Sequence, residues 1–126
     1  TSALKRTHQT LDALLNKYKE AVTHLDKFSS SDPILSALAL GNIGDAFVAL
    51  NQPKDAMDYY KKAIDKSDNA LTAPIYLSKA AQVAQDQKNY KEALTYLERI
   101  KTDYPNSEEA ASVDVQISQV EALMNL

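Results

Sequence analysis

The sequence predicts an all-α superhelix, a solenoid of about three helix-turn-helix repeats closed by a C-terminal capping helix. Three observations predict it. The pattern Tyr18-Lys19-Glu20-Ala21-Val22 recurs as Pro53-Lys54-Asp55-Ala56-Met57 and as Tyr90-Lys91-Glu92-Ala93-Leu94, with 35 residues separating the first two alanines and 37 the second two. Such a period suits a helical hairpin of about 34 residues with small insertions. Small residues (Gly44, Ala56, Ala63) fall where two helices of one hairpin would touch, and Phe47 and Tyr60 would fill the wedge between them. Finally, with 44% hydrophobic and 25% charged residues, the chain has the composition of an ordinary soluble globular protein.

Taken in order, the chain divides into repeat 1 over about residues 2–32, repeat 2 over 33–68, repeat 3 over 72–105 and a cap over 107–124, in one domain. Residues 2–28 carry two readings. Leu4, His8, Leu11, Leu15, Tyr18, Val22 and Leu25 step alternately by four and three, a heptad seam compatible with one long helix. Against this, Asn16 precedes Ala21 by the same interval as Asn51 precedes Ala56, which favours two helices broken near Asn16.

Ser29-Ser30-Ser31 is a linker, after which Asp32 is the N-cap and Pro33 the first residue of a helix running to about Leu50. Pro53 opens its partner, which ends near Lys66 before the break at Ser67-Asp68-Asn69. Thr72-Ala73-Pro74 starts a helix ending near Gln87, and Asn89 or Tyr90 starts another ending near Asp103. The cap follows Asn106-Ser107-Glu108-Glu109, whose carboxylates suit a helix start. Ala110, Val113, Ile117, Val120 and Met124 form its apolar stripe, opposite a polar face with Glu109, Ser112, Gln116 and Gln119. A helix with one polar side is what the naked end of a solenoid needs.

These residues resemble the tetratricopeptide-repeat family. Leu40, Ile43, Gly44 and Phe47 stand at that family's first-helix positions, and Ala56, Tyr60 and Ala63 at its second-helix positions. Leu77, Ala80, Ala81 and Ala84, then Tyr90, Ala93, Leu97 and Pro105, do the same in repeat 3. Repeat 1 keeps Tyr18, Ala21, Leu25 and Pro33, but His8, Gln9 and Asp12 replace the large, small and aromatic residues of a first helix, which is therefore degenerate.

From about Leu25 onward the chain is also similar to the membrane-anchored envelope members of that family, the group that includes ancillary Sec-translocon subunits. Ser31-Asp32-Pro33-Ile34-Leu35, Leu40-Gly41-Asn42-Ile43-Gly44-Asp45-Ala46 and Asp103-Tyr104-Pro105-Asn106-Ser107-Glu108-Glu109-Ala110 carry this likeness. It implies a scaffold or chaperone-like role on the periplasmic side of a cell envelope, with an upstream anchor; a cytoplasmic setting is the alternative.

Composition and motifs narrow the chemistry. Fourteen basic and 17 acidic residues give a net charge of -3, and no Lys/Arg cluster exceeds a pair, so nucleic acid is not an expected partner. The longest apolar runs are too short for this segment to insert in a membrane. Cysteine is absent and glycine occurs twice, which leaves no thiolate metal site and makes a phosphate-cradling loop improbable. His8 and His24 stand without metal-ligand spacing, and the pairs Asp55/Asp58 and Glu108/Glu109 read as helix-terminal charges. No catalytic residue, metal or cofactor is expected.

What remains is recognition of a protein or extended peptide. The resemblance implies a concave groove lined by the first helix of each repeat: Leu38, Gly41, Asn42, Asp45, Val48 and Ala49, then Ile75, Ser78, Lys79, Gln82, Gln85 and Asp86. Asn42, Asp45, Lys79, Gln82 and Gln85 are its candidate contacts, together with Tyr76 as an exposed ring on a first helix. Some family members capture a C-terminal carboxylate with basic and Asn residues from successive first helices, and Arg6, Asn42 and Lys79 occupy roughly suitable positions. Two other readings stay open: a structural one, with Leu4, Leu11 and Leu15 of the degenerate helix pairing two copies into a homo-oligomer, and, less favoured, an enzymatic one, which would require a buried pocket of convergent titratable residues.

Overall fold

The computed structural model describes residues 2–27, 32–66 and 69–126. Among these are six α-helices and one 3-10 turn: α1 (Ser2–Lys27), α2 (Pro33–Ala49), α3 (Pro53–Lys66), α4 (Ala73–Asp86), α5 (Tyr90–Asp103), the 3-10 turn Glu109–Ser112 and α6 (Val113–Met124). The expected linker residues Ser29, Ser30 and Ser31, and the break residues Ser67 and Asp68, lie outside the described residues. Contacts gather the chain into two compact units, Thr1–Ser67 and Asp68–Leu126.

In the first unit, α2 begins as its sequence requires. Asp32 accepts a hydrogen bond from the Ile34 amide at 2.8 Å, and Pro33 sits at the first helical position, where its missing N–H costs nothing. α3 packs on α2, and the contact is tight. A Cβ added to Gly44 would lie 2.5 Å from Cε1 and 2.6 Å from Cδ1 of Tyr60, so only glycine leaves room for that ring. Ala56 and Ala63 of α3 are fully buried, as is Ile43 of α2. The Tyr60 hydroxyl donates to Asp45 Oδ1 at 2.5 Å, and Phe47 meets Tyr59 with ring centroids 5.6 Å apart.

The turn between α2 and α3 recurs between α4 and α5. Asn51 and Lys88, 37 residues apart, both adopt left-handed backbone, with φ of 58° and 60°. The amides that follow close back onto the preceding helix, Gln52 to the Phe47 carbonyl at 2.9 Å and Asn89 to the Ala84 carbonyl at 2.8 Å. This is the Schellman closure of a helix C-terminus. Asparagine tolerates the left-handed region; lysine enters it at a cost.

In the second unit, Asn69 Oδ1 accepts the amides of Leu71 and Thr72 at 2.8 and 2.9 Å and sets up the start of α4. α4 buries Tyr76, Leu77, Ala80, Ala81, Val83 and Ala84, α5 buries Ala93, Leu97 and Ile100, and the two pack together. α6 packs on α5 through Val113 and Val120. Its expected start is corrected: Glu109–Ser112 forms a 3-10 turn and the α-helix opens at Val113. Met124, expected on the apolar stripe, is exposed. Lys101 of α5 clasps Asp114 of α6 at 2.8 Å, and that carboxylate holds the ammonium above the ordinary lysine range.

The expected break at Asn16 is absent. Residues 2–27 form one helix that packs on α2, with Leu15 buried and Leu11 and Tyr18 half-buried. A helical hairpin forms when folding back buries surface. His8, Gln9 and Asp12 provide neither the small contact positions nor the large side chains to reward it, and all three are exposed. Helix propagation therefore continues through Asn16.

Two stability outcomes are expected. Gly44→Ala would raise stability by about 1 kcal/mol in an open helix through propensity alone; against the Tyr60 ring, overpacking by about 1–3 kcal/mol reverses the sign, and the urea midpoint should fall. Lys88→Gly should raise the midpoint, through a gain in stability of about 1 kcal/mol, because it removes a side chain from a left-handed position.

Candidate functional site

The sequence-predicted contacts divide between the two units, and the second unit holds the better-formed surface. Along α4, Ser78, Lys79, Gln82 and Gln85 recur at helical spacing and lie on one side of the helix. With Ala81, Leu97 of α5 and Gln116 of α6 they line a concavity of about 260 Å³. Ala81 and Leu97 are buried and make its apolar floor, while the polar side chains are half-buried or exposed around it. Gln82 Nε2 donates to Asp86 Oδ1 at 2.9 Å, one turn along the same helix, which restrains the carboxamide.

Such a lining presents three carboxamides, a hydroxyl and an ammonium. Carboxamides both donate and accept, so they can satisfy the alternating N–H and C=O groups of an extended backbone. Lys79 adds a donor for a carboxylate or a carbonyl. Gln116 was assigned from the sequence only to the polar face of the cap. Its place beside α4 follows from the packing of α6 on α5, which no local pattern reports.

Tyr76 is a correction. Its side chain is 3% exposed, so the ring belongs to the interior and offers no face to a ligand. Thr72, Ala73, Pro74 and Leu77, its neighbours in sequence, are buried as well.

In the first unit, Asn42 and Asp45 are half-buried on α2. Asp45 receives the Tyr60 hydroxyl and so has a part in holding α2 to α3, which the sequence alone did not assign to it. Leu38 and Val48 of α2 are exposed and Gly41 is buried. Arg6 stands on the uninterrupted α1 and not on the first helix of a hairpin, so the premise that put it in a carboxylate-capturing series is absent.

Among the described residues, no three His, Cys, Asp or Glu side chains are grouped to hold a metal ion, and no helix is long and apolar enough to cross a membrane. His8 and His24 are both exposed on α1.

Sequence models of the tetratricopeptide repeat match residues 37–65 and 77–107. Each of these two segments resembles a tetratricopeptide repeat. The matches fall on α2–α3 and α4–α5, the two hairpins closed by the left-handed Asn51 and Lys88. No curated protein matches the chain. Tetratricopeptide repeats are in general non-catalytic protein–protein interaction modules. An all-α repeat architecture and a protein partner are thus the reading shared by the hairpin geometry, the α4 surface and the family.

Removing the Tyr60 hydroxyl tests whether Asp45 is a structural partner. Tyr60→Phe should lower stability by about 1.5–3 kcal/mol, the range for a bond to a charged acceptor, with the denaturant m-value unchanged.

Proposed function

We propose that this chain is a non-catalytic scaffold or chaperone-like subunit that holds an extended segment of a partner protein along α4. The observation that carries the reading is the concavity of Ser78, Lys79, Gln82, Gln85 and Gln116 over the apolar floor of Ala81 and Leu97. An extended segment would satisfy its backbone on the carboxamides and set a small apolar side chain on the floor. Asn42 and Asp45 on α2 are retained as candidate contacts of the first unit.

Placement on the periplasmic side of a cell envelope, near a membrane anchor, is part of the same proposal. It is supported by the likeness of segments 31–35, 40–46 and 103–110 to envelope members of the family. Protease protection in intact cells, lost when the outer barrier is opened, is the expected outcome; recovery of the native protein in the cytosolic fraction would end that placement.

A photo-crosslinking residue at position 85 in the native cell should capture a discrete partner, whereas the same residue at the exposed position 121 should not. Gln82→Ala/Gln85→Ala should weaken the captured complex about tenfold, as expected for two lost hydrogen bonds of about 0.5–1.5 kcal/mol each. Equal capture at both positions would dismiss the α4 surface.

Self-association through α1 is a second reading, favoured by the exposure of Leu4 (57%); of the other two leucines expected in that contact, Leu11 is half-buried and Leu15 is buried, so Leu15 is not available to a second copy. A mass that doubles with concentration in light scattering, and returns to one chain in Leu4→Glu/Leu11→Glu, is its expected signature. A monomer at high micromolar concentration would remove it.

A further inference from the structure

The cleft over α2 in the first unit has a different chemistry from the α4 surface. It is lined by Lys19 and Thr23 of α1, Leu40 and Ile43 of α2, and Tyr59, Lys62, Asp65 and Lys66 of α3, and encloses about 640 Å³. That volume lies in the range of sites that bind small ligands or a short peptide. Leu40 and Ile43 are buried and form its base. Among the described residues the lining holds three lysines and one aspartate, a net positive set in a chain whose overall charge is -3.

Two of the ammonium groups are held in place. Lys62 Nζ lies 4.4 Å from the centroid of the Tyr59 ring, and Lys19 Nζ lies 5.5 Å from that of Phe47. An ammonium resting on a ring face has lost part of its rotamer freedom before any ligand arrives. A lone surface lysine paired with a carboxylate gains little. Converging cations beside an apolar base offer more, because a ligand can bury a hydrocarbon side chain while its charges meet both lysines.

We infer that this cleft is a second binding site, selective for an acidic segment of a partner protein that carries an aliphatic side chain between carboxylates. The aliphatic group sits over Leu40 and Ile43, and the flanking carboxylates meet Lys19 and Lys62. Lys19 and Thr23 of α1 form the wall opposite α3. It is independent of the α4 surface: it lies in the other unit, uses other residues and takes a ligand of defined charge.

The test is a two-dimensional amide NMR titration of the intact chain with the peptide Ac-Glu-Leu-Glu-Leu-Glu-NH2. Its neutral analogue, Ac-Gln-Leu-Gln-Leu-Gln-NH2, and inorganic phosphate serve as the comparison ligands. The acidic peptide should shift the amides of Leu40, Ile43, Tyr59 and Lys62 saturably at up to about 5 mM, and raising salt from about 20 to about 300 mM should weaken binding. Lys19→Glu/Lys62→Glu should reduce affinity at least about tenfold. Lys19→Gln/Lys62→Gln, which removes charge without reversing it, provides the same readout should the first variant lose its native spectrum.

The inference is overturned if these amides do not respond, if the glutamine peptide or phosphate shifts them equally, or if binding survives the loss of both lysine charges. Gln82→Ala/Gln85→Ala should leave this titration unchanged, so its outcome is separable from that of the α4 proposal.

Discussion

The first unit depends on the absence of one methyl group. With hydrogen at the α-carbon of Gly44, the Tyr60 ring lies against the α2 backbone, and α3 packs on α2 with Ala56 and Ala63 at full burial. Close approach increases the number of dispersion contacts per residue, and alanine at the meeting points lets the approach continue along the helix. The Tyr60 hydroxyl then reaches Asp45, and the Phe47–Tyr59 ring pair joins the end of α2 to the middle of α3. The second unit reaches the same end with alanines alone, Ala80, Ala81 and Ala84 on α4 and Ala93 on α5.

The same constraint explains where a hairpin does not form. Asn16 is spaced from Ala21 as Asn51 is from Ala56, yet the chain passes through it as helix. Lys88, a poorer residue for left-handed backbone, makes the turn. Turn chemistry is thus subordinate to what the flanking helices can bury together. Where small and large positions face one another the chain folds back, and the cost of a strained lysine is met by the core it closes.

These packing decisions leave two surfaces of unlike character. One, over α4, is rich in carboxamides around Ala81 and Leu97, and can accept backbone groups of many sequences. The other, over α2 between α1 and α3, is cationic with an aliphatic base. An interaction module gains from such a division, since hydrogen bonds to backbone give breadth while charge restricts the choice of partner.

Much of this protein was legible in its sequence. The 37-residue recurrence placed both hairpins, Asp32 and Pro33 placed the start of α2, and the spacing of Lys79, Gln82 and Gln85 put them on one helix face. All of these are local relations, set by side chains within a turn or two of one another. Tertiary structure decided the rest: that residues 2–27 stay one helix, that Tyr76 is enclosed, that Gln116 joins the α4 surface, and that Lys19 and Lys62 share a cleft. Each depends on which helix faces meet across long stretches of chain. A periodic pattern can mark a face for burial, but only packing selects the face that covers it.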